Sequence, residues 1–227
     1  MNQESYAMWE EMNEPTLVIA WEQELLAQAQ SLCGAAHECA RRGWVPATAG
    51  NFSFRDSASG RIFITASGLD KGAITPADLL EVDLECKVIA GPGKPSAETS
   101  LHGVIYRDRP ESGAIFHVHS IWNTLLSDRF ARAGAVSLEN YELLKALSGV
   151  ATHEYCELVP ILENSQEYVG LAVELAAALR NYPAAHGVLL RRHGLYTWGE
   201  SIAGARRHLE ALEFLFEVES RRFGCES

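Results

Sequence analysis

The sequence predicts a single α/β domain, and three observations predict it. Strand-type and helix-type segments interleave along the chain. The 227 residues, 47% hydrophobic and 22% charged, suit one sizeable folded unit. No linker, internal repeat or low-complexity stretch divides them. A G-x-G-x-x-G turn and a Walker loop are both missing, which removes the dinucleotide-binding and P-loop versions of the class.

The elements follow in order. Residues 1–15 are polar and acidic, lack the apolar core of a signal peptide and read as a tail, so the domain is expected over residues 16–227. Leu17, Trp21, Leu25, Ala29, Leu32, Ala36 and Cys39 recur at three-and-four spacing and predict a helix with one buried face. Gly43 ends it, with Pro46 just beyond. Residues 51–54 and 61–65 are short β-type runs parted by Asp-Ser-Ala-Ser-Gly, the pattern of a hairpin. Thr75-Pro76 opens a short helix with a cap and a first-turn proline. One β segment is expected over 80–89, stopped by Gly91-Pro92-Gly93. Residues 97–107 read as helix, 114–119 as a buried strand followed by a helical stretch, and 138–147 as another helix. A strand over 157–162, a helix marked by Tyr168, Leu171, Leu175 and Leu179, and a strand over 187–192 come next. Ile202, Ala205, Leu209, Leu212 and Phe216 mark one side of the last helix.

Charge narrows the partners. The formal net charge is -11, and no run of Lys and Arg forms a basic patch, so nucleic acid and anionic membrane surfaces are repelled. An anionic metabolite remains compatible, because a metal and a few backbone N–H groups make a locally positive cleft. No apolar stretch is long enough to span a bilayer. The five cysteines are odd in number and never form C-x-x-C, the usage of reduced thiols in the cytoplasm.

Phe116-His117-Val118-His119 carries the sharpest chemical signal. Side chains alternate along a strand, so His117 and His119 share a face while Val118 packs behind them. Two adjacent imidazoles suit a divalent metal, and His193, at the end of another buried strand, is the candidate third ligand. Two half-exposed histidines on an edge strand would also give an isolated H-x-H. Glu98, where the loop Pro95-Ser96-Ala97 enters a helix, is either a helix-terminal charge or a metal ligand or acid/base beside the histidines. The turns Thr48-Ala49-Gly50-Asn51-Phe52-Ser53 and Thr65-Ala66-Ser67-Gly68, with Ser96, offer the uncovered N–H groups and hydroxyls that a phosphate needs. Ordinary turn chemistry produces such strings too. Glu142 and Lys145 share a helix face, and the bare sequence gives this pair no role beyond a surface ion pair. His37, His102, His153, His186 and His208 are scattered and read as structural or exposed.

Together, in this order, the Gly50-Asn51 turn, the Thr65-Ala66-Ser67-Gly68 turn, Pro95-Ser96-Ala97-Glu98, His117-Val118-His119 and His193 resemble the class II aldolase and adducin head-domain family. The resemblance covers residues 17–223. It implies a central, mostly antiparallel sheet flanked by helices in three α/β/α layers, assembled as a homotetramer with active sites at subunit boundaries. It further implies one zinc ion per subunit on His117, His119 and His193, and a phosphate cradle of Gly50, Asn51, Ser53, Thr65, Ser67, Gly68 and Ser96 with Glu98. The strings Tyr141-Glu142-Leu143-Leu144-Lys145-Ala146-Leu147, Val159-Pro160-Ile161-Leu162-Glu163-Asn164 and Leu190-Arg191-Arg192-His193-Gly194-Leu195-Tyr196-Thr197-Trp198-Gly199 are similar to the branch that dehydrates a phosphorylated ketose of methionine salvage. That similarity makes Glu142 the expected acid/base. A sugar-phosphate aldolase or 4-epimerase on the same scaffold is the alternative, and a non-catalytic adducin-like interaction module is the alternative of another class.

Overall fold

The computed structural model describes residues 17–225, with side chains through 223; the expected tail over 1–15 lies outside the described residues. Its elements are α1 (Gln23–Arg41), β1 (Asn51–Arg55), β2 (Ile62–Thr65), β3 (Leu79–Val82), β4 (Val88–Ala90), α2 (Thr99–Asp108), β5 (Ala114–Val118), α3 (Ile121–Arg129), β6 (Ala135–Glu139), β7 (Cys156–Leu162), α4 (Tyr168–Asn181), β8 (Gly187–Leu190), β9 (Gly194–Gly199) and α5 (Ile202–Cys225). The strands form one sheet in the order β4-β3-β2-β1-β5-β9-β8-β7-β6. Every pairing is antiparallel except β7 with β8.

Alternation along the central strands builds the layers. Phe52, Phe54, Phe116 and Val118 point to one face and pack with Leu32 and Ala36 of α1 and Leu209, Leu212 and Phe216 of α5. Ile115, Val188 and Tyr196 point to the other and pack with Leu101 and Ile105 of α2 and Leu171 and Leu175 of α4. Helices thus cover both faces of a mostly antiparallel sheet, as the resemblance implied.

Four local expectations change. Helix α1 starts at Gln23 rather than near Leu17, because the Leu17 carbonyl accepts from Gly91 N–H (2.8 Å) and ties residues 17–20 down as an extended strap. The single β segment over 80–89 is a hairpin, β3 and β4, turned where Cys86 takes φ +64° and Asp83 N–H donates to Lys87 O. Residues 138–147 are not one helix. Val136 and Leu138 are buried while Ser137 and Glu139 are exposed, the period of a strand, and β6 pairs with β7 before a short 3-10 turn over Glu142–Ala146. Finally, 187–192 extends into a second strand, because Arg192 takes φ +55° and folds β9 back on β8.

Candidate metal centre and substrate cavity

Strand β5 sits mid-sheet and ends at Val118, so His117 is the last inward residue and His119 follows on the same side. Beyond them Ser120 caps α3, its hydroxyl accepting from Asn123 N–H (3.1 Å), which fixes where the chain leaves the sheet. Next to β5, the β8–β9 hairpin delivers His193 from its tip. Helix α3 holds that tip: Arg192 N–H donates to Ser127 Oγ (3.0 Å), and Arg191 Nε to Asp128 (2.8 Å). Gly194 makes the approach possible, since a Cβ there would meet Val118 O at 2.4 Å and His117 Cε1 at 2.8 Å.

The three histidines expected from sequence therefore converge. One ligand atom from each of Glu98, His117, His119 and His193 lies within 4.8 Å of the others. The Nε2 atoms of His117 and His119 are 2.7 Å apart, and His193 Nε2 is 2.9 Å from Glu98 Oε1. His117 Nδ1–H donates to Leu195 O (3.0 Å), and His193 Nδ1 meets Asn164 Oδ1 (3.0 Å), so both rings turn Nε2 toward the cluster. Tyr196 stacks on His117 with ring centroids 4.0 Å apart. Burial, then the neighbouring imidazoles, pushes His119 down to about 4 and His117 well below its ordinary value. With His117 Nδ1–H given to Leu195 O, the lone pair of His117 Nε2 faces His119 Nε2, where a proton or a shared cation would sit. The donor set, three imidazoles and a carboxylate, fits a divalent metal.

Glu98 is held from behind. Asn51, opposite His117 in the β1–β5 register, donates Nδ2–H to Glu98 Oε2 (2.7 Å). Its Oδ1 faces His102 Nε2, His102 Nδ1 meets Ser53 Oγ (2.7 Å), and Ser53 Oγ meets Tyr106 OH (2.9 Å). Burial holds His102 down at about 3, so it is neutral and relays one direction of donation, Tyr106 to Ser53 to His102 to Asn51 to Glu98. Burial opposes the charge on Glu98, yet the His193 hydrogen bond and the imidazoles outweigh it and hold its carboxyl at about 2. His102, one of the scattered histidines expected to be structural or exposed, is a link of this relay; its only sequence signal is a histidine on the inward face of a helix that follows Glu98.

A cavity of about 250 Å³ opens beside the cluster, lined by Thr48, Gly50, Asn51, Thr65, Ser67, Gly68, Ser96, Glu98 and His119, and also by Lys71 and Tyr168. Gly50 (φ +77°) is required there, since a Cβ would lie 2.6 Å from His117 O. Ser53 is fully buried behind the wall on His102 and Tyr106, not on the cavity surface. Glu142 is elsewhere. It follows β6, four strands from β5, a lateral offset of roughly 19 Å at the usual strand spacing. Tyr141 and Leu144 pack on the α5 face, whereas His117 lies against Tyr196 on the other. The Glu142 carboxylate is 73% exposed and pairs with Lys145.

With this geometry, a nine-stranded sheet of the described residues placing imidazoles and a carboxylate beside a small hydroxyl-lined cavity, the class is defined by fold and site together. The chain belongs to the Class II Aldolase and Adducin N-terminal domain family, whose model matches residues 30–220. It is 47% identical over 201 residues to a methylthioribulose-1-phosphate dehydratase of Methylococcus capsulatus, covering 88% of this chain and 97% of that protein. A methylthioribulose-1-phosphate dehydratase of Cronobacter sakazakii is 44% identical, covering 86% and 95%. Among solved structures, the L-fuculose-1-phosphate aldolase of Thermus thermophilus superposes with a TM-score of 0.68 at 27% identity, covering 87% of this chain and 96% of that one. No helix among the described residues is long and apolar enough to cross a membrane.

Proposed function

We propose that this chain is a metal-dependent hydro-lyase that dehydrates 5-methylthioribulose 1-phosphate to 2,3-diketo-5-methylthiopentyl 1-phosphate, a step of methionine salvage. The observation that carries the reading is the convergence of His117, His119 and His193 beside a hydroxyl-lined cavity, in a chain so similar to proteins bearing that name. A zinc ion, one per subunit, would be held by these three imidazoles and supply Lewis-acid stabilisation of charge on the ketose oxygens. Gly50, Asn51, Thr65, Ser67, Gly68 and Ser96 receive the phosphate end through N–H groups and hydroxyls, and Ser53 acts behind them on the Glu98 relay. This anchoring turns the C3 hydrogen toward the base.

Glu142 is the acid/base of the reading. Its carboxylate takes the C3 proton and returns it to the C4 hydroxyl, which departs as water while a C3–C4 double bond forms; tautomerisation then gives the diketone. Because Glu142 lies outside the cavity of its own chain, a neighbouring copy in a homotetramer supplies it. The four described cysteines are free thiols, in keeping with a cytoplasmic protein. Incubation with methylthioribulose 1-phosphate, following the diketone by absorbance, tests the activity, and Glu142→Gln is expected to retain zinc and lose turnover. Zinc-loaded protein that leaves this substrate untouched would end the reading.

One observation favours a second reading. Glu98 sits inside the cluster, 2.9 Å from His193, where an aldolase of this fold would employ a base or extra ligand. Appearance of an aldehyde fragment and a triose phosphate from a ketose phosphate would select it.

A further inference from the structure

A lysine ammonium is among the groups least often buried, because its lost hydration must be replaced by partners and countercharge. Lys71 is 1% exposed, yet it lines the cavity beside Ser67, Gly68, Ser96 and His119. Its Nζ donates to the carbonyls of Thr48 (3.0 Å) and Leu69 (2.8 Å), which uses two of its three N–H donors. Among the described residues no carboxylate lies within 4 Å of it. Among the described residues no other lysine or arginine lines the cavity, and its His119 and Glu98 both belong to the metal cluster. A phosphate dianion entering this space would therefore meet a single fixed positive side chain. The same ammonium also pins Thr48, a non-glycine residue at φ +66°, so it sets the turn and the charge together.

We propose that Lys71 is the residue that selects a phosphorylated substrate, its ammonium neutralising a phosphate dianion seated between the Gly50 and Gly68 turns. The proposal rests on reading this cavity as the phosphate end of the substrate. Carbonyl partners hold the amine in place without cancelling its charge, leaving one N–H and the full charge for the ligand. Burial lowers the amine's affinity for its proton, and an adjacent dianion offsets that loss.

The test is calorimetric titration of inorganic phosphate into zinc-loaded wild type, Lys71→Gln and Lys71→Arg at neutral pH, with zinc content and thermal midpoint measured alongside. Loss of one charge-assisted contact is expected to weaken phosphate binding by about tenfold or more in Lys71→Gln. Lys71→Arg is expected to recover most of it. In wild type, the buried Lys71 Nζ signal in a 15N-lysine spectrum shifts on adding phosphate, while the exposed Lys87, Lys94 and Lys145 stay still. Wild-type phosphate affinity in Lys71→Gln, or an unmoved Nζ signal at saturation, overturns the proposal even if the variants fold poorly. Equal loss in Lys71→Gln and Lys71→Arg also overturns it, because Lys71 is then a brace for the Thr48 turn. Phosphate binding needs no turnover, so a chain that binds phosphate through Lys71 but does not dehydrate methylthioribulose 1-phosphate keeps this inference and loses the activity.

Discussion

The clustered histidines differ in what orients them. His117 is held by a backbone carbonyl of the neighbouring strand, which any sequence on β9 would supply, whereas His193 depends on one side chain, Asn164. Removing an imidazole removes a ligand outright; removing the outer partner only frees a ring. His193→Ala is accordingly expected to purify with little bound metal while far-UV circular dichroism stays native, because the ring is at the surface end of a hairpin. Asn164→Ala is expected to keep the metal with affinity reduced about tenfold, the usual cost of losing an outer partner, as read by competition with a chelating dye. Unchanged affinity would show that Asn164 does not orient the ring. At this scale the sequence was informative wherever spacing alone decides geometry: His117 and His119 share a face because strands alternate. Asn164, His102 and Lys71 were not legible, because each acts on a residue from a distant segment, and only the strand pairing brings Asn51 across from His117 and the His193 turn beside Asn164.

Elements were legible where their apolar period was long and clean. Helix α5 announces itself by Ala205, Leu209, Leu212 and Phe216, all buried. Strand β6 did not, since five residues beginning at Ala135 run into Leu143, Leu144 and Leu147, and a short strand followed by a 3-10 turn imitates one longer helix. Helix α5 also contains a polar residue that periodicity cannot explain. Glu213 is 1% exposed and accepts from Asn123 Nδ2 (2.8 Å) at the start of α3, while its Oε2 is buried without a partner. Burial, against the opposing hydrogen bonds of Ser120 and Asn123, raises its carboxyl from 4.5 to about 7. With the folded value above the unfolded one, the protein gains stability below the unfolded value and loses it as pH rises through the folded one. The contribution that disappears is on the order of 3 kcal/mol. Glu213→Gln mimics the neutral acid, so thermal unfolding should find it more stable than wild type at pH 8 and similar to wild type at pH 4. Parallel pH profiles for the two proteins would show that Glu213 ionises freely.

The whole sheet separates two polar regions. At one end of the central strands lie the histidine cluster and its cavity. At the other end, where Gly113 N–H pairs with Gly199 O, a larger cavity of about 400 Å³ is lined by Arg109, Ser148, Tyr155, His186 and His208. There His186 binds the fully buried Glu157 (3.0 Å) and the Ser148 carbonyl (2.9 Å), while Ser148 N–H donates to His208 (3.0 Å). Two histidines thereby fasten the chain just after the segment that carries Glu142, so that segment is fixed to the sheet with its carboxylate facing outward. The outward, anchored Glu142 and a cavity whose one carboxylate among the described residues, Glu98, is engaged by the histidines are what the proposed donation across a subunit boundary rests on. Variants carrying His193→Ala and Glu142→Gln should each be inactive alone. Mixed under conditions that exchange subunits, they should regain activity, because some boundaries then pair an intact cluster with an intact carboxylate. Random exchange at equal amounts gives about a quarter of the sites both parts, which sets the expected ceiling. Recovery at that level, tracked with mass-tagged subunits to verify exchange, would establish donation between copies. Verified exchange with no recovered turnover would mean that Glu142 does not serve a neighbour's site.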